Sequence, residues 1–196
     1  MGQYYTPYLR KADNTEEVLY SASPKKFYET RDFNWHIGNK ITEHSWIGNW
    51  LTDFISWKLY KNPMHVIWLG DYAEATNKVP EEYLDHIRTL EETHYDIPPV
   101  VFSYNNKWIV NHSQNIAFQI PDDCDGPHNS WAEAYHYPIS LLTALGNGKG
   151  GGDYYSSDGE FLPLIGTWCN DIVSIEDEIP EGYKEIKVPS LHPAWA

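Results

Sequence analysis

The amino-acid sequence predicts an α+β fold in a single domain, a mainly antiparallel sheet with about three helices packed on one face. Three observations lead there. Apolar residues recur at spacings of three and four in separate segments, the pattern of helices with one buried stripe. Short β-rich runs bounded by polar turns make up about seven further segments. Several of those runs are joined by connections short enough for hairpins, which make antiparallel pairs. The 196 residues fit one domain, spanning 1–196, because no repeat and no linker rich in Pro, Gly or Ser divides them.

Each element follows from local chemistry. Gln3–Thr6 and Val18–Tyr20 are β-rich and flank the polar turn Lys11–Thr15, so they predict a hairpin. Ile47, Trp50, Leu51, Phe54, Ile55 and Leu59 form a helical stripe, which Thr42 or Ser45 would cap and Asn62-Pro63 would end. Trp46, Trp50 and Trp57 belong to the same helical pattern and read as core. His65–Leu69 is apolar, long enough for a buried strand and too short for a helix. Pro80 opens a second helix with Glu81 and Glu82 at its positive end and Tyr83, Leu84, Ile87 and Leu90 buried, ending near Glu92. Val100–Tyr104 and Trp108–Val110 flank Asn105-Asn106-Lys107 and read as a hairpin, with Ile116–Ile120 as a third strand and 121–129 as a loop. Pro138 opens a third helix, Ile139–Leu145, with Gly146 as its C-terminal cap. Ile165–Cys169, Ile172–Ile175 and Lys184–Val188 complete the strands.

Composition narrows the function classes. Apolar residues are 41% and aromatic residues 15% of the chain, with nine Trp and fifteen Tyr, which disfavours disorder. No window has the roughly 18 consecutive apolar residues of a membrane span, and the N-terminus lacks a signal-peptide pattern, so a cytoplasmic location is expected. Cys124 and Cys169 have no partner spacing and predict neither a disulfide nor zinc; nine scattered histidines add no metal motif and no cofactor. The net charge is −14. Residues 1–61 carry 8 basic against 7 acidic side chains, residues 62–149 carry 4 against 12, and residues 150–196 carry 2 against 9. A nucleic-acid binder needs a clustered basic face, which the last two thirds of this chain lack. The same excess of acid suits a basic protein partner, as well as simple solubility.

The segment Gly146-Asn147-Gly148-Lys149-Gly150-Gly151-Gly152-Asp153-Tyr154 holds five glycines in nine residues. Glycine permits close approach of a ligand to the backbone, and phosphate cradles use that freedom with a lysine for charge. Gly148, Lys149, Gly150, Gly151, Gly152, Asp153 and Tyr154 are therefore the candidate ligand-binding residues. The pattern is neither a Walker loop nor a dinucleotide loop, which need a strand before and a helix after the glycines. A plain surface loop after a capped helix is the competing account. Glu43, His44, Asp71 and Tyr72 are secondary candidates. A carboxylate and an imidazole brought together could do acid–base work, although a helix start explains Glu43 and a turn explains Asp71.

Gly2-Gln3-Tyr4-Tyr5, Glu43-His44-Ser45-Trp46 with Gly48-Asn49, Gly70-Asp71-Tyr72-Ala73, the Gly146–Tyr154 run and Gly166-Thr167-Trp168 with Asp171 together resemble a family of bacterial and bacteriophage proteins that has no established activity. The resemblance implies a phage or mobile-element setting, with the host cytoplasm as the place of action, and no catalytic residues. Three functions remain. One is an accessory protein binding a phosphate-containing, nucleotide-like molecule at the glycine run, the reading the sequence favours by a small margin. Another is an acidic interaction protein inhibiting a host defence or nucleic-acid-processing machine through its basic surface. The third is a hydrolase or transferase.

Overall fold

The computed structural model describes residues 3–13, 20–21, 23–24, 40–90, 101–122, 135–146 and 162–188; the candidate residues Gly148–Tyr154 lie outside them. In chain order the elements are β1 (Tyr5–Lys11), β2 (Tyr20–Ser21), α1 (Ile41–His44), α2 (Trp50–Leu59), β3 (Met64–Gly70), α3 (Glu81–Thr89), β4 (Trp108–Asn111), β5 (Ile116–Gln119), α4 (Pro138–Leu142), β6 (Ala144–Leu145), a 3-10 turn (Leu162–Leu164), β7 (Ile172–Glu176) and β8 (Lys184–Glu185). The fold is α+β, with a sheet ordered β2-β1-β3-β7-β4-β5-β8.

Strand β3 is the spine. It is buried on both faces, which explains its unbroken apolar run. Strand β1 pairs antiparallel along its whole length, from Tyr5 opposite Gly70 to Lys11 opposite Met64. The other edge is divided. Strand β7 takes Met64 and His65 in antiparallel pairing, and β6 runs parallel beside Trp68 and Leu69. The remaining ladders are antiparallel apart from β5 with β8.

Alternation along β3 sends Val66 and Trp68 to one face and Ile67 and Leu69 to the other. Leu51, Ile55 and Leu59 of α2 pack with the first set, and Leu84 and Ile87 of α3 with the second. The helices therefore cover both faces of the sheet, where the sequence suggested one. A continuous apolar strand has two faces to cover, and that signal in 65–69 was the one that pointed to a second layer.

Other elements differ from expectation for local reasons. Helix α2 starts late because Gly48 has a left-handed φ of 85°. Its cap is Asn49, whose Oδ1 accepts the Thr52 N–H at 2.9 Å and whose Nδ2 donates to the carbonyls of His44 and Trp46. Residues 101–104 form no strand. Strand β4 instead makes its hairpin with β5, Trp108 opposite Gln119, while Tyr104 turns inward to a buried carboxylate. Residues 165–169 are turns rather than a strand. They wrap the end of α4, where Gly166 N–H donates to Leu141 O and Trp168 N–H to Leu142 O, supplying partners that helix carbonyls otherwise lack. Helix α4 itself stops at Leu142, and Ala144-Leu145 enter the sheet.

Candidate functional site at the carboxyl end of the central strands

The short pairing of β6 with β3 changes the setting of the glycine run. Gly146 does not cap a helix. It follows a strand, and its φ is not left-handed. Its absent side chain serves close approach instead. A Cβ there would meet the Tyr5 hydroxyl and lie 2.7 Å from Gln3 Oε1; a Cβ at Gly70 would meet Gln3 Nε2 and lie 2.7 Å from its Cδ. Gly70 and Gly146 end two adjacent parallel strands, and the Gln3 carboxamide packs against both.

Gln3 is fully buried. Tyr5 donates its hydroxyl proton to Gln3 Oε1 at 3.2 Å, whereas Gln3 Nε2 has no hydrogen-bond partner among the described residues. A buried donor left open costs about 1–3 kcal/mol, so a second group that accepts from it would stabilise the site. Sequence reasoning passed over Gln3 as a strand residue. Its only signal was alternation, since Gln3 shares the buried parity of Tyr5 and Leu9.

Next to this floor lies an exposed rim. Strand register continues past Gly70, with Asp71 N–H donating to Tyr4 O at 2.9 Å and Tyr4 N–H to Asp71 Oδ1 at 3.0 Å. Tyr4 is 50% exposed and Tyr72 is 45% exposed. No cation pairs with Asp71 among the described residues. The nearby bases are engaged elsewhere: Lys78 donates to Asp171 at 2.6 Å and to Thr167 O, and Arg88 binds Ala73 O and the carboxylates of Glu81 and Asp85.

The secondary candidates have separate partners. Glu43 closes a capping box, its Oε2 accepting from Lys40 N–H. His44 is buried beside Trp68, whose indole N–H donates to His44 Nε2 at 2.9 Å, so that nitrogen is already an occupied acceptor. Asp71 and Tyr72 sit on the rim. Asp171, noted only as part of a motif, gathers three side-chain donors. It accepts from Lys78, Asn111 and Gln114 at 2.6, 2.9 and 2.6 Å, tying the loop after β3 to β4 and β7.

Two polar groups, one buried and one partly buried, have no signal in the sequence. Tyr104 donates to Asp53 Oδ1 at 2.9 Å, and Ser56 Oγ lies 3.0 Å from the Tyr104 hydroxyl and 2.9 Å from that of Tyr137. Burial holds both phenols protonated by pushing them above their ordinary range. The second group is a relay. Ser174 donates to Glu176 at 2.6 Å, which makes His112 Nε2 the donor to Ser174 Oγ and leaves Nδ1 to accept from Tyr183. Ser174 is thus no activated nucleophile, because its proton points to a carboxylate rather than to the imidazole. Cys169 is buried, and desolvation pushes its thiol up to about 12. It is correspondingly inert.

Among the described residues no group of His, Cys, Asp or Glu could hold a metal ion, and no helix is long and apolar enough to cross a membrane. Searches of family models, of curated proteins and of solved structures found no match to the chain.

Proposed function

We propose that the chain is an acidic interaction protein that occupies the basic surface of a nucleic-acid-processing or defence protein, in the phage or mobile-element setting that the sequence resemblance implies. One observation carries this reading. The shoulder formed by residues 71–90 presents exposed Asp71, Glu74 and Glu82 in addition to Glu81 and Asp85, which pair with Arg88, while Lys78 is held by Asp171 and the Thr167 carbonyl. A surface of that sign attracts a basic partner and repels phosphate. The small-molecule reading, which the sequence favoured, gains no cation from the same observation, because the described side chains at Gly70 and Gly146 are Gln3 and Tyr5, and the next residue after Gly70 is an acid.

Affinity capture from bacterial lysate tests the proposal. Captured proteins should leave the immobilised chain as ionic strength rises and should be displaced by added duplex DNA, which competes for the same basic face. Retention of a partner that neither salt nor DNA releases would refute it.

The nucleotide-like ligand remains a second reading because of Gln3 Nε2, an open donor at the ends of two parallel strands. Calorimetric titration with a panel of nucleotides, repeated on Lys149→Ala and Gln3→Met, decides it. Absence of heat with every nucleotide removes that reading.

A further inference from the structure

We infer that Tyr4, Asp71 and Tyr72 form a receptor for an arginine side chain, and that arginine rather than lysine is the chemistry by which a basic partner is recognised. The inference rests on the acidic-interaction reading and adds its point of contact. Asp71 is exposed and carries no intramolecular cation among the described residues. Its carboxylate is nevertheless oriented, since Oδ1 accepts from the Tyr4 N–H at 3.0 Å and leaves Oδ2 open. Two aromatic residues adjoin it, Tyr4 across the strand pair and Tyr72 next in the chain, and each is about half exposed. They stand among the few large apolar side chains that the described surface leaves to solvent.

This combination fits a guanidinium. A planar cation stacks on tyrosine faces and donates N–H groups to a fixed carboxylate, whereas an ammonium is a compact, strongly hydrated charge with no flat face. Partly desolvated contacts of this kind, with Tyr on one side and Arg on the other, dominate interface energies. The exposed acids Glu74 and Glu82 later in the same segment add negative charge for steering, and the Tyr–Asp–Tyr group supplies discrimination.

The test compares octa-arginine and octa-lysine peptides by fluorescence anisotropy, on the full chain and on Asp71→Asn and Tyr72→Ala. The Asn variant keeps an oxygen for the Tyr4 N–H while replacing the open acceptor by a donor, so the fold is preserved. Retention of the wild-type melting temperature confirms that. Expected is tighter binding of the arginine peptide by about tenfold, with the preference falling to about twofold or less in each variant. Equal salt-dependent binding of both peptides, or a preference unchanged in both variants, overturns this inference and leaves the acidic-interaction reading standing. Failure of both peptides to bind at low ionic strength overturns the two together.

Discussion

Substituting Gly70 or Gly146 by alanine is the sharpest test of how the carboxyl end of the sheet is built. Neither glycine is needed for a left-handed backbone; each is needed because the Gln3 carboxamide lies where its Cβ would go. At Gly70 the new methyl would overlap Gln3 Nε2 and approach Cδ at 2.7 Å and Cγ at 3.0 Å. At Gly146 it would overlap the Tyr5 hydroxyl and approach Gln3 Oε1 at 2.7 Å. Gln3 is fully enclosed and cannot swing aside. Overpacking of this kind costs about 1–3 kcal/mol, so about 2 kcal/mol is expected for either variant. For a chain of this size that is a fall in melting temperature of roughly 4–8 °C, readable by calorimetry or circular dichroism. The decisive measurement is a double-mutant cycle with Gln3→Ala, which vacates the space. Gly70→Ala should then cost less than about 0.5 kcal/mol, a coupling of about 1.5 kcal/mol. Additive losses would mean that the glycines serve some purpose other than making room for Gln3, and the account of the site would be wrong.

Further outcomes follow from other parts of the molecule. Asp171→Ala should destabilise the chain by about 2–4 kcal/mol in denaturant titration, because it strands the fully buried Asn111 amide; the half-exposed Lys78 adds little. Gly166→Ala should cost at least about 1–2 kcal/mol by the same measurement, since φ is 71° and the Cβ would lie 2.6 Å from Ala144 O. Desolvation holds His65 and His112 below the ordinary imidazole value of 6.5. The folded state thus prefers them neutral, so their contribution to stability is whole above 6.5 and is lost as pH falls through the lower folded values. Melting temperature should decline from about pH 7 to about pH 5.5, and less steeply in His112→Gln; a flat profile there would contradict the assignment. Ser56→Ala should weaken the link between α2 and Tyr137 by about 1–2 kcal/mol, with Tyr104 keeping its bond to Asp53.

The sequence was informative where a signal was periodic and local. The β3 run, the apolar stripes of α2 and α3, the β5 strand and the Pro138 start all emerged at nearly their observed positions. It failed where a residue's role depended on a distant partner. Asn49 displaced Thr42 and Ser45 as the cap because Gly48 breaks the chain direction just before it, which the apolar stripe through Ile47 concealed. Residues 100–104 and 165–169 have strand-like composition. Each instead spends its polar groups on a buried or capping task, Tyr104 on Asp53 and the 166–168 amides on the end of α4. Among the site residues, Asp71 and Tyr72 were legible as a turn after a strand. Gln3 was not, since burial of an amide between two glycines is set by pairings 67 and more positions apart.

Strand β3 links these observations into one argument about function. Its interior residues commit the fold, with Trp68 donating to His44 inside the core and Val66 and Ile67 facing opposite layers. Its last residue, Gly70, makes room for Gln3, and the next, Asp71, is the first that the sheet no longer needs for packing. A carboxylate placed there inherits a rigid support from seven paired positions of β1 without being neutralised by any described cation. Rigid presentation of an unneutralised charge next to half-exposed aromatic residues lowers the ordering cost of binding, because little backbone freedom remains to be lost. Gly146 lies at the neighbouring strand end, and the packing of Gln3 accounts for the glycine at that position. On the reading proposed above, recognition at this end of the sheet falls to the Tyr4–Asp71–Tyr72 rim, whose partner would bring positive charge and a flat face.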